Sequence, residues 1–293
     1  MRTHHKRVIL ILFLSMLIST SFSVVEAADE NSMKIHFIDV GQGDSMLIQT
    51  PTDKNILIDG GPPEAGKKVV AYLKKHDIDQ LDLLFATHPD IDHIGGLLYV
   101  MKTMPIQLII DSGKLHTTKT YRQYLHEISM QKIPIHTAKE SEMIRIDEDV
   151  DIQILNTYEH FKSSNQSSIV VKASYKDMSF LFLGDVEVAQ EKALMKKYSV
   201  QADVVKVAHH GSKSSSSLPF LQAVNPSVAI LTYLKNNDYG HPVPKVIKNL
   251  NQVNAQIYST AVFGDLIIQT NGEGYFILPS KSPAEGIIEK QAE

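Results

Sequence analysis

A chain of 293 residues with 43% hydrophobic residues and a formal net charge of −4 has material for a substantial core, and it lacks the positive excess that holds nucleic acid by bulk charge. It contains no cysteine, which excludes disulfides and thiolate metal centres; a metal here can be held only by His and carboxylate groups.

The first residues read as a targeting segment. Met1–Arg7 is basic, Val8–Ile18 is apolar but short for a bilayer span, and Val25-Glu26-Ala27 sets small residues around a cleavage point after Ala27. Residues 1–27 are expected to be a secretory signal peptide, with an uncleaved anchor as the alternative, and the protein to be secreted or associated with the cell surface. Cleavage would remove Arg2, Lys6, Arg7 and Glu26 and leave 26 basic against 32 acidic residues, a net charge of −6. No later segment is long and apolar enough for a stable membrane span.

Lys34–Val40 alternates as a strand, Gly41–Asp44 turns, and Ser45–Gln49 returns; Asn55–Ile58 is a further strand ending in Asp59-Gly60-Gly61. A helix is expected over 67–76, then the strand Leu83–Ala86. Directly after it come His88, Asp90, Asp92 and His93, followed by Gly95-Gly96. Four residues able to bind metal within six positions, delivered by a strand end, suit a divalent ion, which needs several converging groups. The competing reading is a helix N-cap at Asp90 or Asp92 with incidental histidines.

Residues 95–104 and 118–131 have helical periodicity, 107–111 and 150–155 strand character, and 134–146 little regularity. Two strands over 167–175 and 178–183 form a hairpin about Lys176-Asp177, and the second runs into Gly184-Asp185. A helix over 189–197 and a strand over 204–208 lead to His209-His210-Gly211-Ser212. Lys213–Ser217 reads either as a phosphate-holding segment or as a solvated loop, and Ser214–Ser217 as a mobile edge or a helix start. A strand over 227–231, a polar loop to Gly240-His241-Pro242, a helix over 245–252 and three closing strands complete the chain, with a polar tail from residue 281.

Acidic and imidazole groups thus recur just after apolar strands, at Asp59, at His88–His93, at Asp185, at His209-His210 and at His241. Two mixed sheets packed face to face would bring them to one edge, which is what a two-metal hydrolytic site requires.

The ordered set Phe37-Ile38-Asp39-Val40-Gly41-Gln42-Gly43-Asp44-Ser45, Ile58-Asp59-Gly60-Gly61, His88-x-Asp90-x-Asp92-His93-x-Gly95-Gly96, Asn165-x-x-Ser168-x-Val170, Leu183-Gly184-Asp185, Ala208-His209-His210-Gly211-Ser212 and Gly240-His241-Pro242 resembles the metallo-β-lactamase superfamily, and within it the C-terminal hydrolase domain of ComEC-type DNA-uptake proteins. The resemblance implies an α/β, four-layer αββα sandwich in a single domain over residues 33–280. It implies two divalent metal ions, Mn or Zn. His88 and Asp90 would bind one, Asp92, His93 and His241 the other, and Asp185 would bridge them. Asp90 stands where the superfamily usually has His, and Asn165 or Ser168 stands roughly where another His ligand is usual; both changes put oxygen for nitrogen and favour a harder ion such as Mn²⁺.

Asp92, His209 and His210 are the candidate catalytic residues. In an extended strand His209 and His210 would face opposite ways, with His209 inward; the alternative is a general-acid or phosphate-holding role for His210 with Ser212 and Lys213. Asp59 reads either as a turn-former or as a carboxylate orienting a ligand, and Asp44 as an indirect contact to the metal-bound groups. His36, His76, His116, His126, His136 and His160 have no ligand-like setting. The resemblance implies a secreted nuclease acting on extracellular DNA. Hydrolysis of a small phosphodiester, lactam or ester is the second reading, and a non-enzymatic exported binding protein the third.

Overall fold

The computed structural model describes residues 31–158 and 163–283. The expected signal peptide, His160 and the tail beyond residue 283 lie outside the described residues.

Two sheets form among the described residues. In the first, β1 (Met33–Phe37), β2 (Met46–Gln49), β3 (Asn55–Ile58), β4 (Leu83–Ala86), β5 (Ile109–Asp111) and β6 (Ile135–Thr137) follow one another. The chain's last strands, β14 (Leu266–Thr270) and β15 (Tyr275–Pro279), return to pair beside β1. The second runs from β7 (Met143–Ile144) through β8 (Val150–Asn156), β9 (Val170–Tyr175), β10 (Met178–Phe182), β11 (Val204–Lys206) and β12 (Val228–Leu231) to β13 (Gln256–Ser259). Both sheets are mixed: β1, β2 and β3 are an antiparallel meander, whereas β3 to β6 and β10 to β13 run parallel. The expected hairpin is present, with β9 and β10 antiparallel and Lys176 at φ 51° in the turn.

The period of two along each strand sets the layers. Leu83 and Phe85 of β4 enter the core between the sheets, while Leu84 and Ala86 face outward under helices. Met178, Phe180 and Phe182 of β10 enter the same inner core and Leu181 faces the opposite helical layer. Outside the first sheet lie α1 (Gly66–Lys75), α2 (Ile91–Ile94), α3 (Leu97–Thr103) and α4 (Lys119–Gln131), whose buried side chains join the outward-facing strand residues. Outside the second lie α5 (Val188–Lys197), α6 (Leu218–Val224) and α7 (Pro244–Gln252), and the short α8 (Thr260–Phe263) carries the chain back to the first sheet. The result is the four-layer αββα sandwich that the motif set implied.

Local chemistry fixes the helix ends. Thr118 Oγ1 accepts from Tyr121 N–H at the start of α4, and Lys132, in the left-handed region, ends it. The serine stretch before α6 is neither a solvated loop nor a phosphate cradle. The buried Glu191 carboxylate accepts from Ser216 N–H and from Ser217 N–H, Ser215 Oγ donates to Ala208 O, and Ser215 and Ser216 are buried. A carboxylate satisfying two orphan donors at a helix start leaves them unavailable to a ligand. No helix among the described residues is long and apolar enough to cross a membrane.

Candidate metal centre

The groups singled out by their position after strands meet at one edge of the sandwich. Asp59 follows β3, His88 follows β4, Asp185 follows β10 across a left-handed Gly184, and His209 and His210 follow β11; α2 carries Asp92 and His93. Backbone hydrogen bonds knit three turns into one platform. Asp44 N–H donates to Asp92 O (3.2 Å), Gly60 N–H to His93 O (2.8 Å), Gly61 N–H to Asp44 O (2.8 Å) and Gly96 N–H to Gly61 O (2.8 Å). The approach is so close that a Cβ on Gly96 would stand 1.9 Å from the Gly60 carbonyl oxygen, so a side chain there is excluded by backbone.

Three imidazoles are anchored by Nδ1 and offer Nε2 to the same space. His93 Nδ1 lies 2.8 Å from Asp59 Oδ2, and Asp59 in turn accepts from Thr87 N–H (2.8 Å) and Thr87 Oγ1 (2.6 Å). His210 Nδ1 donates to the Thr232 carbonyl (2.8 Å). His88 Nδ1 lies 3.2 Å from Ser168 Oγ and 3.1 Å from Thr87 Oγ1. Nε2 of His88, His93 and His210, together with Asp185 Oδ1, are buried without a hydrogen-bond partner. Buried polar atoms are nearly always paired, so four unpaired atoms aimed at one point fit the ligand set of a cation.

The spacing fits one. Asp185 Oδ1 is 3.4 Å from His93 Nε2, and Asp185 Oδ2 is 3.8 Å from His88 Nε2 and 3.7 Å from Nε2 of both His209 and His210. His210 Nε2 is 3.4 Å from Asp92 Oδ2, and His88 Nε2 is 3.6 Å from Asp90 Oδ2. Ligands about 2.0–2.2 Å from an ion at tetrahedral angles stand roughly 3.3–3.6 Å apart. The donors fall into overlapping groups, His88 with His93 and Asp185, and Asp92 with His93 and His210, the atoms of each within 4.8 Å of one another; Asp90 borders the first group and His209 reaches Asp185 from the open side.

Several expectations change here. His209 and His210 do not face opposite ways, because neither is in an extended strand. Both sit in the left-handed region (φ 50° and 53°) of a tight turn, and both rings reach Asp185. His210 is the buried one, and its Nε2 occupies the place beside Asp92 that the resemblance gave to His241. His241 lines the same cavity, with its Nδ1 also buried without a hydrogen-bond partner and its ring 5.7 Å from that of His209. Asp90 does stand at the N-cap of α2, but its side chain makes no cap hydrogen bond; it accepts from Ser164 Oγ and faces His88. Asn165 Nδ2 lies 3.4 Å from the His209 ring nitrogens, and Ser168 Oγ, besides facing His88, accepts from Asp185 N–H (3.0 Å). Ser212 Oγ lies 3.1 Å from Ser214 Oγ, and Lys213 projects into solvent.

The outer contacts include residues that no motif pointed to. Lys206 is wholly buried and pairs with the buried Asp44, which also accepts from Thr232 Oγ1 (2.5 Å) and lies 3.4 Å from His210 Nδ1. Asp44 therefore stands behind His210. The available signal for Lys206 was a lysine inside the apolar run Val204–Ala208, on the inward face shared with Val204. Ser214, whose Oγ lies 3.3 Å from His209 Nδ1, had none.

Charge at the site is strongly coupled. Burial alone would push the His93 and His210 imidazoles down, but Asp185, with Asp59 at His93 and Asp44 at His210, outweighs it and holds both above the usual range. Burial would push Asp185 up, and the same two imidazoles hold it well below the usual carboxylate range. Burial, then the neighbouring His209, lowers His241 to about 4.

Residues 38–233 match the model of the metallo-beta-lactamase superfamily. The chain is 32% identical over 247 residues to "ComE operon protein 3" of Bacillus subtilis, covering 78% of this chain and 32% of that protein. It is 28% identical over 245 residues to "Competence protein ComA" of Neisseria gonorrhoeae, covering 82% and 33%. The chain thus spans about a third of the length of these relatives. Among solved structures, the metallo-beta-lactamase fold protein YhfI from Bacillus subtilis superposes with a TM-score of 0.53 at 14% identity, covering 78% of this chain and 96% of that one, which is likeness of fold.

Proposed function

The chain belongs to the metallo-beta-lactamase superfamily, and from that membership we propose that it is a secreted two-metal phosphodiesterase that cleaves DNA. The observation that carries the metal part is the convergence of unpartnered His88, His93 and His210 Nε2 and Asp185 Oδ1. A retained scaffold without catalysis would have no reason to keep four buried polar atoms unpaired at one point. The nucleic-acid part is supported by relatives whose names speak of competence, and export by the basic-apolar-small order of residues 1–27.

His88, Asp90 and Asp185 would hold one divalent ion, Asp92, His93, His210 and Asp185 the other, with oxygen donors sufficient for Mn²⁺ and imidazoles sufficient for Zn²⁺. Such ions, when bound, acidify water and take up charge from the phosphoryl oxygens. The protein's own part is positional. Asp59 and the Thr232 carbonyl fix the tautomers of His93 and His210, so that the nitrogen facing the ion is the unprotonated one. His209, held between Asn165 and Ser214 on the open side, is the imidazole placed to exchange a proton with a leaving oxygen; burial holds it below the usual range, toward the neutral form. His210 is too enclosed for that task and serves as a ligand.

The cavity over the ligands is only about 140 Å³, well under the roughly 300 Å³ at which drug-sized pockets begin. A phosphodiester group fits over the ligands, and the small cavity also suits a small phosphodiester as substrate. Purified protein should cut plasmid and single-stranded DNA in Mn²⁺ or Zn²⁺, lose this with chelator, and lose at least about 100-fold in rate in Asp92→Ala/His93→Ala. Metal-loaded wild type that cuts no DNA but hydrolyses small diesters would favour the second substrate class.

A further inference from the structure

Tyr239 is 70% exposed, yet its place is fixed. Asn237 pins the loop that carries it: Asn237 Oδ1 accepts from Tyr239 N–H (3.1 Å) and His241 N–H (3.0 Å), and Asn237 Nδ2 donates to the carbonyls of Leu234 (2.8 Å) and His241 (2.7 Å). The Tyr239 ring stacks on His241, with centroids 5.7 Å apart and planes at 24°, and the His241 ring lies 5.7 Å from that of His209. His209 in turn reaches Asp185 at 3.7 Å. A series of rings therefore leads from the ligand cluster to solvent and ends on an open aromatic face, and Tyr239 lines the same cavity as Asp92, Asp185 and His210.

A lone exposed aromatic on a free surface needs no account, but one stacked on His241 and carried by a loop whose backbone Asn237 ties at four points, at the mouth of a site, is a preorganised platform. The cavity is small and opens to solvent beside Tyr239, so a group flanking a phosphodiester held over the cluster meets the Tyr239 ring at the rim. Flat rings stack on aromatic side chains, and a base can do so only when it is unpaired. Lys213 and Lys235, with no ion-pair partner among the described residues, lie in the two loops that carry His210 and Tyr239 and supply local charge for the flanking phosphates in an otherwise acidic chain.

We propose that Tyr239 is a stacking platform for an unpaired nucleobase beside the scissile phosphate, so that the site selects single strands. This rests on the phosphodiesterase reading. The test compares KM and kcat of the metal-loaded wild type, Tyr239→Ala and Tyr239→Phe on a short oligodeoxythymidylate, the same strand annealed to its complement, and an abasic strand of equal length. The thymidylate should have the lowest KM in the wild type. Tyr239→Ala should raise that KM between about 5- and 150-fold, with kcat much less affected, and erase the difference from the abasic strand. Tyr239→Phe, which keeps the ring, should behave as wild type. Equal KM for all three strands in the wild type, or a Tyr239→Ala change as large on the abasic strand as on thymidylate, would overturn the stacking role and leave the nuclease reading standing. Wild type that cuts no strand while hydrolysing a small diester would overturn both.

Discussion

At the scale of single residues, the buried pair of Lys206 and Asp44 shows how the site is supported. Lys206 comes from β11 of one sheet and Asp44 from the β1–β2 turn of the other, and both are fully enclosed. Two charges removed from water repay their desolvation only through each other and through added hydrogen bonds, here from Thr232 Oγ1. Removing one partner leaves the other stranded 3.4 Å from His210. Lys206→Met should therefore destabilise the fold by about 3–5 kcal/mol, and Lys206→Met combined with Asp44→Asn should recover part of that loss. Denaturant unfolding of the cycle measures the coupling; additive losses would show the pair to be energetically independent. Asp44 was visible in the sequence because it closes a Gly-x-Gly turn, whereas Thr232 was not, since a threonine after an apolar strand has nothing to set it apart.

At the scale of elements, the decisive contact is backbone against backbone. The turn after β3 and the start of α3 pass close enough for Gly96 N–H to reach Gly61 O, and the same turn binds the carbonyl of His93. Ligand placement thus depends on glycines that touch no metal. Gly96→Ala forces the Gly60 carbonyl away, and overpacking of this kind costs about 1–3 kcal/mol or more. Its expected signature is a lowered Tm together with weaker metal retention on dialysis. An unchanged Tm with full metal content would mean that the platform yields without cost.

Strands and helices with a clear period were legible at this scale: β3, β4, β10, α1, α4 and α7 stand within about two residues of their expected positions, and β9 starts three residues later than expected because Asn165–Ser167 form a helical turn. What the period could not give was the turn at His209 and His210. Two consecutive left-handed histidines break the alternation on which facing was judged, and only the packed structure shows that both rings turn to Asp185. The edge strands β6 and β7 were hidden in the irregular stretch 134–146, because three and two residues are too few to show a period.

At the scale of the molecule, the sandwich explains why ligands scattered from residue 88 to residue 210 form one cluster. Parallel strands in each sheet end at the same edge, and the inner core of β1, β4, β9 and β10 residues holds the two edges together. The fold class and family were legible from the ordered motifs, since each motif sits at a strand end that the alternation pattern also marks. Partner choice around the cluster was less so, because distance along the chain carries no information about which of His210 and His241 lies nearer Asp92.

The most direct measurement is the metal content of purified protein, by elemental mass spectrometry after loading with Mn²⁺ or Zn²⁺ and dialysis, for the wild type and Asp185→Asn. Asp185 is the carboxylate that lies within 4 Å of His88, His93 and His210, and so the proposed bridge. Two ions per wild-type chain, falling to one or none in Asp185→Asn, is the expected result. Less than one ion per wild-type chain, or the same content in both proteins, would contradict a bridged two-metal centre.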